Sequence, residues 1–126
     1  MRDTRTLLAL TIVYAATSLL HFAHNAIFLG DYPNLPSWLT AGGVWLAWCG
    51  ITAVGVLGYV LYRRVSRVAG LAILVVYALL GFGGLDHYVV APVSAHSVAM
   101  NTTILVEVTG ASALLAWIGY SALTRA

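Results

Sequence analysis

The chain is poor in the residues that cover the surface of a soluble protein. It contains no lysine, six arginines and four acidic residues, so that only 8% of its 126 residues are charged, whereas about 25% is usual in a soluble domain. Hydrophobic residues make up 61% of the sequence. This composition excludes an ordinary soluble domain and predicts a single domain that is integral to a membrane.

Cysteine and the common enzyme motifs are also scarce. Cys49 is the only cysteine, which excludes an intrachain disulfide. The sequence contains no glycine-rich phosphate loop, no Gly-x-Ser-x-Gly elbow and no His-Glu-x-x-His motif. Function therefore has to be inferred from hydropathy and from the positions of the few polar residues.

Hydropathy predicts four membrane-spanning helices, at about residues 6–29, 38–62, 68–91 and 96–123. At about 1.5 Å per residue, each segment is long enough to cross roughly 30 Å of hydrocarbon. Ser37 and Ser94 are the candidate N-caps of the second and fourth helices. We expect an all-α fold, an integral membrane four-helix bundle.

The arginines indicate the orientation of this bundle. All six lie at helix ends that would share one side of the membrane, and the positive-inside rule makes that side cytoplasmic. Both termini are therefore expected in the cytoplasm. Scattered arginines form no basic groove, so the positive net charge predicts no nucleic-acid partner. The residues concerned are Arg2, Arg5, Arg63, Arg64, Arg67 and Arg125.

The two halves of the chain resemble each other. LALTIVYA at residues 8–15 aligns with LAILVVYA at residues 71–78, which pairs Tyr14 with Tyr77 and His24 with His87. The match favours a duplicated helical hairpin, a parallel repeat whose equivalent residues face one another across an axis along the membrane normal. The alternative is chance similarity between apolar helices.

Polar residues concentrate in the outer half of the predicted bundle. Counting residues along the helices places His21 and Glu107 at a similar depth. A spacing of three and four residues puts the polar side chains of three helices on one face each. The three faces are Thr17, His21, His24 and Asn25; His96, Met100, Thr103 and Glu107; and Tyr77, Gly81, Gly84 with either His87 or Tyr88.

Glu107 is the costliest residue to place in hydrocarbon, at about 3 kcal/mol, and such residues usually face the bundle interior with a partner. Protonation of the carboxyl would remove this cost, and so would a cation bound jointly by the carboxylate and imidazole groups. Carboxylate and imidazole ligands suit zinc, iron or copper. We therefore predict a transition-metal site which, if catalytic, acts on a lipophilic substrate. The predicted ligands are His21, His24, His87, His96 and Glu107, and the predicted residues that orient the imidazoles are Asn25, Asp86 and Asn101.

Three alternatives stay open at this point. His24 and His87 could be the axial ligands of a haem b, with nearby glycines leaving room for the macrocycle. His21 and Glu107 could instead be acid–base groups that need no cofactor and serve a bound lipid-like molecule. Finally, the polar residues could only fasten the helices of an accessory subunit, with glycine-rich helix faces as oligomer contacts.

The predicted topology can be tested by cysteine labelling. In a variant that lacks Cys49, we expect Asn34→Cys and Ala95→Cys to react with a membrane-impermeant thiol reagent in intact cells, because both positions lie in loops opposite the arginines. Reaction at these positions only after the cells are opened would contradict the proposed orientation.

Overall fold

The structure is a computed structural model that describes residues 2–124, with side chains from residue 4 onward. This part of the chain is helical and contains no strand. Three short 3-10 helices, Leu29–Asp31, Gly81–Asp86 and Val93–Ala95, lie between the α-helices. The α-helices are α1 (Arg2–Ile27), α2 (Ala41–Arg64), α3 (Arg67–Leu80), α4 (His87–Val90) and α5 (Val98–Leu123).

Four helical segments are long and apolar enough to cross a membrane, which confirms the predicted number and type of segment. α3, the 3-10 helix after it and α4 together form one of them. The other three segments are formed by α1, α2 and α5. The segments are Thr4–Ile27, Ala41–Arg64, Arg67–Val90 and Val98–Leu123.

The predicted N-caps Ser37 and Ser94 are wrong. The hydroxyl of Thr40 caps α2 and that of Ser97 caps α5. A capping residue needs extended backbone. Ser97 has it, with a ψ of 163°, whereas Ser94 lies inside a 3-10 helix.

The four long segments form a ring in which neighbours are antiparallel. The packed pairs are α1 with α2, α2 with α3, α3 with α5, and α5 with α1, as in an up-and-down bundle. We call one end of the bundle the arginine end, because Arg5, Arg63, Arg64 and Arg67 lie there. The opposite end is the histidine end, and it contains His21, His24, His87 and His96.

α1 and α5 pack along stripes of heptad spacing. Buried residues recur at alternating intervals of three and four, the 3.5-residue period of left-handed helix packing. The α5 stripe is Met100, Ile104, Glu107, Ala111, Leu114, Ile118 and Ser121. The α1 stripe is Leu7, Thr11, Tyr14, Ser18, His21 and Asn25. Its last three residues, toward the histidine end, are all polar.

The interior is apolar toward the arginine end. The core there is a continuous cluster that includes Leu7, Leu74, Leu114 and Ile118. Tyr14 and Tyr77 join it with ring centroids 4.4 Å apart. The predicted repeat expects its equivalent tyrosines to face each other, and this contact agrees with that expectation. The repeat itself stays a prediction. The cluster therefore separates the polar half of the interior from the arginine end.

A change of helix type decides which residue the third segment turns inward. Residues three apart are eclipsed in a 3-10 helix, so Gly81, Gly84 and His87 fall on one line, and all three are buried. Tyr88 is only half-buried. The sequence left His87 and Tyr88 as alternatives, and the tighter winding of Gly81–Asp86 selects His87.

The close approach of α2 and α3 gives a testable prediction. A Cβ at Gly70 would overlap the backbone of Tyr62, whereas a Cβ at Gly50 would meet nothing within 4 Å. We expect Gly70→Ala to lower the free energy of unfolding by about 1–3 kcal/mol, because backbone atoms cannot move aside as a side chain can. Gly50→Ala should leave it unchanged or raise it by up to about 1 kcal/mol. Denaturant titration in mixed micelles measures both; equal effects would contradict the packing.

Candidate functional site at the histidine end

His21 and Glu107 form a buried pair where α1 meets α5. Nε2 of His21 lies 3.7 Å from Oε2 of Glu107, and the two residues are 2% and 1% exposed. Gly84 faces the same carboxyl, since a Cβ there would lie 3.0 Å from Oε2. The glycine therefore leaves the space that the carboxyl occupies.

With one proton between them, the two side chains are electrically neutral in either arrangement of that proton. The pair is either a carboxylic acid beside a neutral imidazole or a carboxylate beside an imidazolium. An uncompensated charge at this position would be costly. The proton therefore stays within the pair unless another charge compensates its loss. Within the described residues, Oε2 of Glu107 and the hydroxyl of Ser18, one turn along α1, have no hydrogen-bond partner.

Two further imidazoles, those of His87 and His96, continue from this pair toward the end of the bundle. The ring centroids of His21 and His87 are 5.3 Å apart, and those of His87 and His96 are 6.0 Å apart, both in edge-to-face geometry. All three rings are buried. Glu107 is thus connected to the end of the bundle by a row of groups that can each hold a proton on nitrogen.

Backbone and amide groups orient the two outer imidazoles. Nδ1 of His96 lies 3.0 Å from the carbonyl oxygen of Pro92; because a carbonyl only accepts, Nδ1 donates and a neutral ring leaves Nε2 with a free lone pair. Nε2 of His87 lies 3.3 Å from Nδ2 of Asn25. In the described part of the chain, three buried atoms of these residues have no partner: His96 Nε2, His87 Nδ1 and Asn25 Oδ1.

Tyr32, which the sequence did not single out, covers the histidines from the loop between α1 and α2. It is only 4% exposed, its hydroxyl is 2.9 Å from Nδ1 of His24, and its ring centroid is 4.9 Å from that of His87. Burial raises the pKa of the Tyr32 phenol, so the hydroxyl beside His24 is neutral. A loop tyrosine beside Asp31 and Pro33 gives no sequence signal that it is buried.

Asn34 fixes the position of this loop. Its φ of 57° is in the left-handed region, which asparagine tolerates better than most residues. Its side-chain amide donates to the carbonyl oxygen of Val90 at 2.9 Å. The loop that contains Tyr32 is thereby attached to the end of α4.

The structure places the predicted site residues in two groups. One group, formed by His21, His87, His96, Glu107 and Asn25, is brought together in the interior. The other lies outside it. His24 is half-buried against Tyr32, Asp86 is exposed, and Asn101 binds the backbone carbonyl of His96 rather than its ring.

The predicted metal and haem sites are not preassembled. Among the side chains of residues 4–124, no group of three or more histidine, cysteine or acidic residues is placed to hold one metal ion. Sδ of Met100 accepts from the backbone N–H of Ser97 at 3.4 Å. His24 and His87 each contact Tyr32, so they do not form the open facing pair that a haem would need. Both cofactors stay predictions.

A groove runs past the site at the outer surface, between the end of α1 and the start of α5. It has a volume of about 460 Å³. His24 and Phe28 line it on one side and Ala95 and Met100 on the other, with Asp31 at its edge. The groove combines apolar walls with an imidazole and a carboxylate.

No protein-family model, curated protein or solved structure matches the chain. The functional argument therefore rests on the geometry of the histidine end.

Proposed function

We propose that the chain is a multi-pass membrane protein with both termini in the cytoplasm, whose His21–Glu107 pair is an acid–base site in the outer half of the bilayer. The four long apolar segments and the distribution of the arginines support the membrane placement. The site is proposed to exchange protons with a lipophilic molecule, without requiring a cofactor.

One observation carries this proposal: four of the unpartnered buried polar atoms of the described residues lie at the site, while Trp48 Nε1 and Thr52 Oγ1 on α2 lie outside it. Glu107 Oε2, His87 Nδ1, His96 Nε2 and Asn25 Oδ1 are all buried and lack a partner within the described chain. Leaving such an atom unpaired costs about 1–3 kcal/mol. Polar residues that only hold helices together would gain nothing from four unpaired atoms. A site that binds a polar ligand or water requires such atoms.

The proton chemistry follows from the pair and the row of imidazoles. In the neutral arrangement Glu107 is the acid and the adjacent imidazole of His21 can take its proton, so the pair can give a proton to a substrate or accept one. His87 and His96 extend the exchange to the histidine end. Because the apolar cluster around Leu7 and Leu114 closes the other end, protons exchange with one side only, which distinguishes this site from a transmembrane proton pathway.

The groove beside the site suggests the class of substrate. Its apolar side chains, Phe28, Ala95 and Met100, suit a hydrocarbon tail, and His24, Asp31 and Ser97 supply polar groups beside them. A substrate with one polar oxygen could place that oxygen near His24 while its tail stays in the bilayer. Tyr32 would then have to shift for the oxygen to reach Glu107.

A transition-metal site is the second candidate, and one observation favours it. His96 donates from Nδ1 to a backbone carbonyl, the arrangement that commonly holds a metal-binding histidine with Nε2 free. The ring of His87 contacts that of His96, and its Nδ1 is also unpartnered among the described residues. A metal held by these two residues would still need further ligands to move in.

The acid–base proposal predicts an infrared signal from Glu107. We expect the pH-difference spectrum of the protein in nanodiscs to contain a carboxyl C=O band that is absent from Glu107→Gln and shifted in His21→Ala, because the imidazole lies next to the carboxyl. Asp31→Asn, at an exposed carboxyl, is the matched control and should retain the band. The proposal fails if Glu107→Gln leaves the difference spectrum unchanged.

The metal candidate predicts bound metal and sensitivity to chelators. Protein made with metals and haem supplied should then contain stoichiometric metal without a Soret band, and a chelator should lower the melting temperature of the wild type but not of His96→Ala, which has lost a ligand. His24→Ala, outside the interior group, should respond like the wild type. A Soret band would indicate haem instead, and a metal-free wild type indifferent to chelator would reject the metal.

A further inference from the structure

The arginine end has a second groove, between α3 and α5, that the proposed acid–base site does not use. It has a volume of about 530 Å³. Arg67 lies at its end, and Leu71, Val75 and Ile118 line it farther in. The groove therefore has a cationic mouth and an apolar floor.

Arg67, which lines the groove, is positively charged, and Arg63 and Arg64 lie just before it in the chain. All three are exposed. Arg63 donates to the hydroxyl of Tyr59 at 3.3 Å, and the guanidinium of Arg67 lies 5.9 Å from the ring centroid of Tyr62, but neither contact supplies negative charge. From residue 4 to residue 124, no carboxylate forms an ion pair with these arginines.

We propose that this groove binds an anionic phospholipid, with the phosphate on Arg67 and one acyl chain along Leu71 and Val75. The proposal rests on the membrane placement under the proposed function, but not on the acid–base site. Basic pockets between helices on the cytoplasmic side are suited to anionic headgroups. Eight residues of helix separate Arg67 from Val75, or about 12 Å, which is close to the depth of one hydrocarbon leaflet.

Both parts of the groove are needed to select this ligand. A free phosphate would meet the arginines but leave the apolar floor empty. A zwitterionic lipid would fill the floor but bring its own positive charge next to Arg67. An anionic phospholipid satisfies the charge and the apolar surface together, so we expect it to be retained when other lipids are removed.

Native mass spectrometry of the detergent-purified full chain tests this inference. Phosphatidylglycerol and phosphatidylcholine with identical acyl chains are the probes. We expect the wild type to prefer phosphatidylglycerol and Arg67→Gln to reduce that preference about five-fold, which corresponds to about 1 kcal/mol per arginine near the surface. Arg5→Gln, an exposed arginine at the same end that does not line the groove, should keep the wild-type preference.

A second pair of variants tests the apolar floor. Ala72→Phe places a bulky side chain in the groove and should weaken the binding of both lipids, whereas Ala16→Phe, on the exposed face of α1, should not. Inorganic phosphate at the same concentration should not displace phosphatidylglycerol.

Three results would overturn the inference. These are equal binding of the two lipids, an equal loss of preference in Arg5→Gln and Arg67→Gln, and displacement by inorganic phosphate. Glu107→Gln separates this test from that of the acid–base site, because it should remove the infrared band and leave lipid binding as in the wild type.

Discussion

Burial of the Glu107 carboxyl beside His21 is the constraint around which the histidine end is organised. A lone charge in an apolar bundle is costly, so the neighbouring helices have to supply a proton acceptor and space. α1 supplies the acceptor through its polar heptad stripe. The third segment supplies the space, because Gly84 has no side chain where the carboxyl lies. The 3-10 winding that aligns Gly84 also turns His87 inward, so one local change of helix type serves both the pair and the row of imidazoles.

The two ends of the bundle differ in chemistry although the same helices build them. Toward the arginine end, leucine, isoleucine and the Tyr14–Tyr77 contact fill most of the interior, and the arginines lie on the outside of the bundle. Toward the histidine end the polarity is internal. A one-sided polar interior suits a site that a molecule enters and leaves from the same side. The arginine end is suited to contact with anionic headgroups, and its groove is correspondingly a place for lipid rather than for chemistry.

The short outer loops complete the site. Tyr32 covers His24 and His87, and Asn34 attaches the loop of Tyr32 to Val90 at the end of α4. The other loop positions His96 through the carbonyl of Pro92. The Tyr32–His87 and Asn34–Val90 contacts join segments that are distant in sequence. The loops thus cover the most polar part of the interior.

The sequence by itself determined the four long helices, the antiparallel order that short connections impose, and the similar depth of His21 and Glu107, since hydropathy and helix rise depend only on local residues. It could not determine the 3-10 winding that selects His87, the caps at Thr40 and Ser97, or the burial of Tyr32. These depend on how segments far apart in the chain pack together, and a loop tyrosine has no local pattern that distinguishes a buried ring from an exposed one. For the same reason, only the tertiary structure separated His24 and Asp86 from the interior group and left nitrogen and oxygen atoms of His87, His96 and Asn25 without partners.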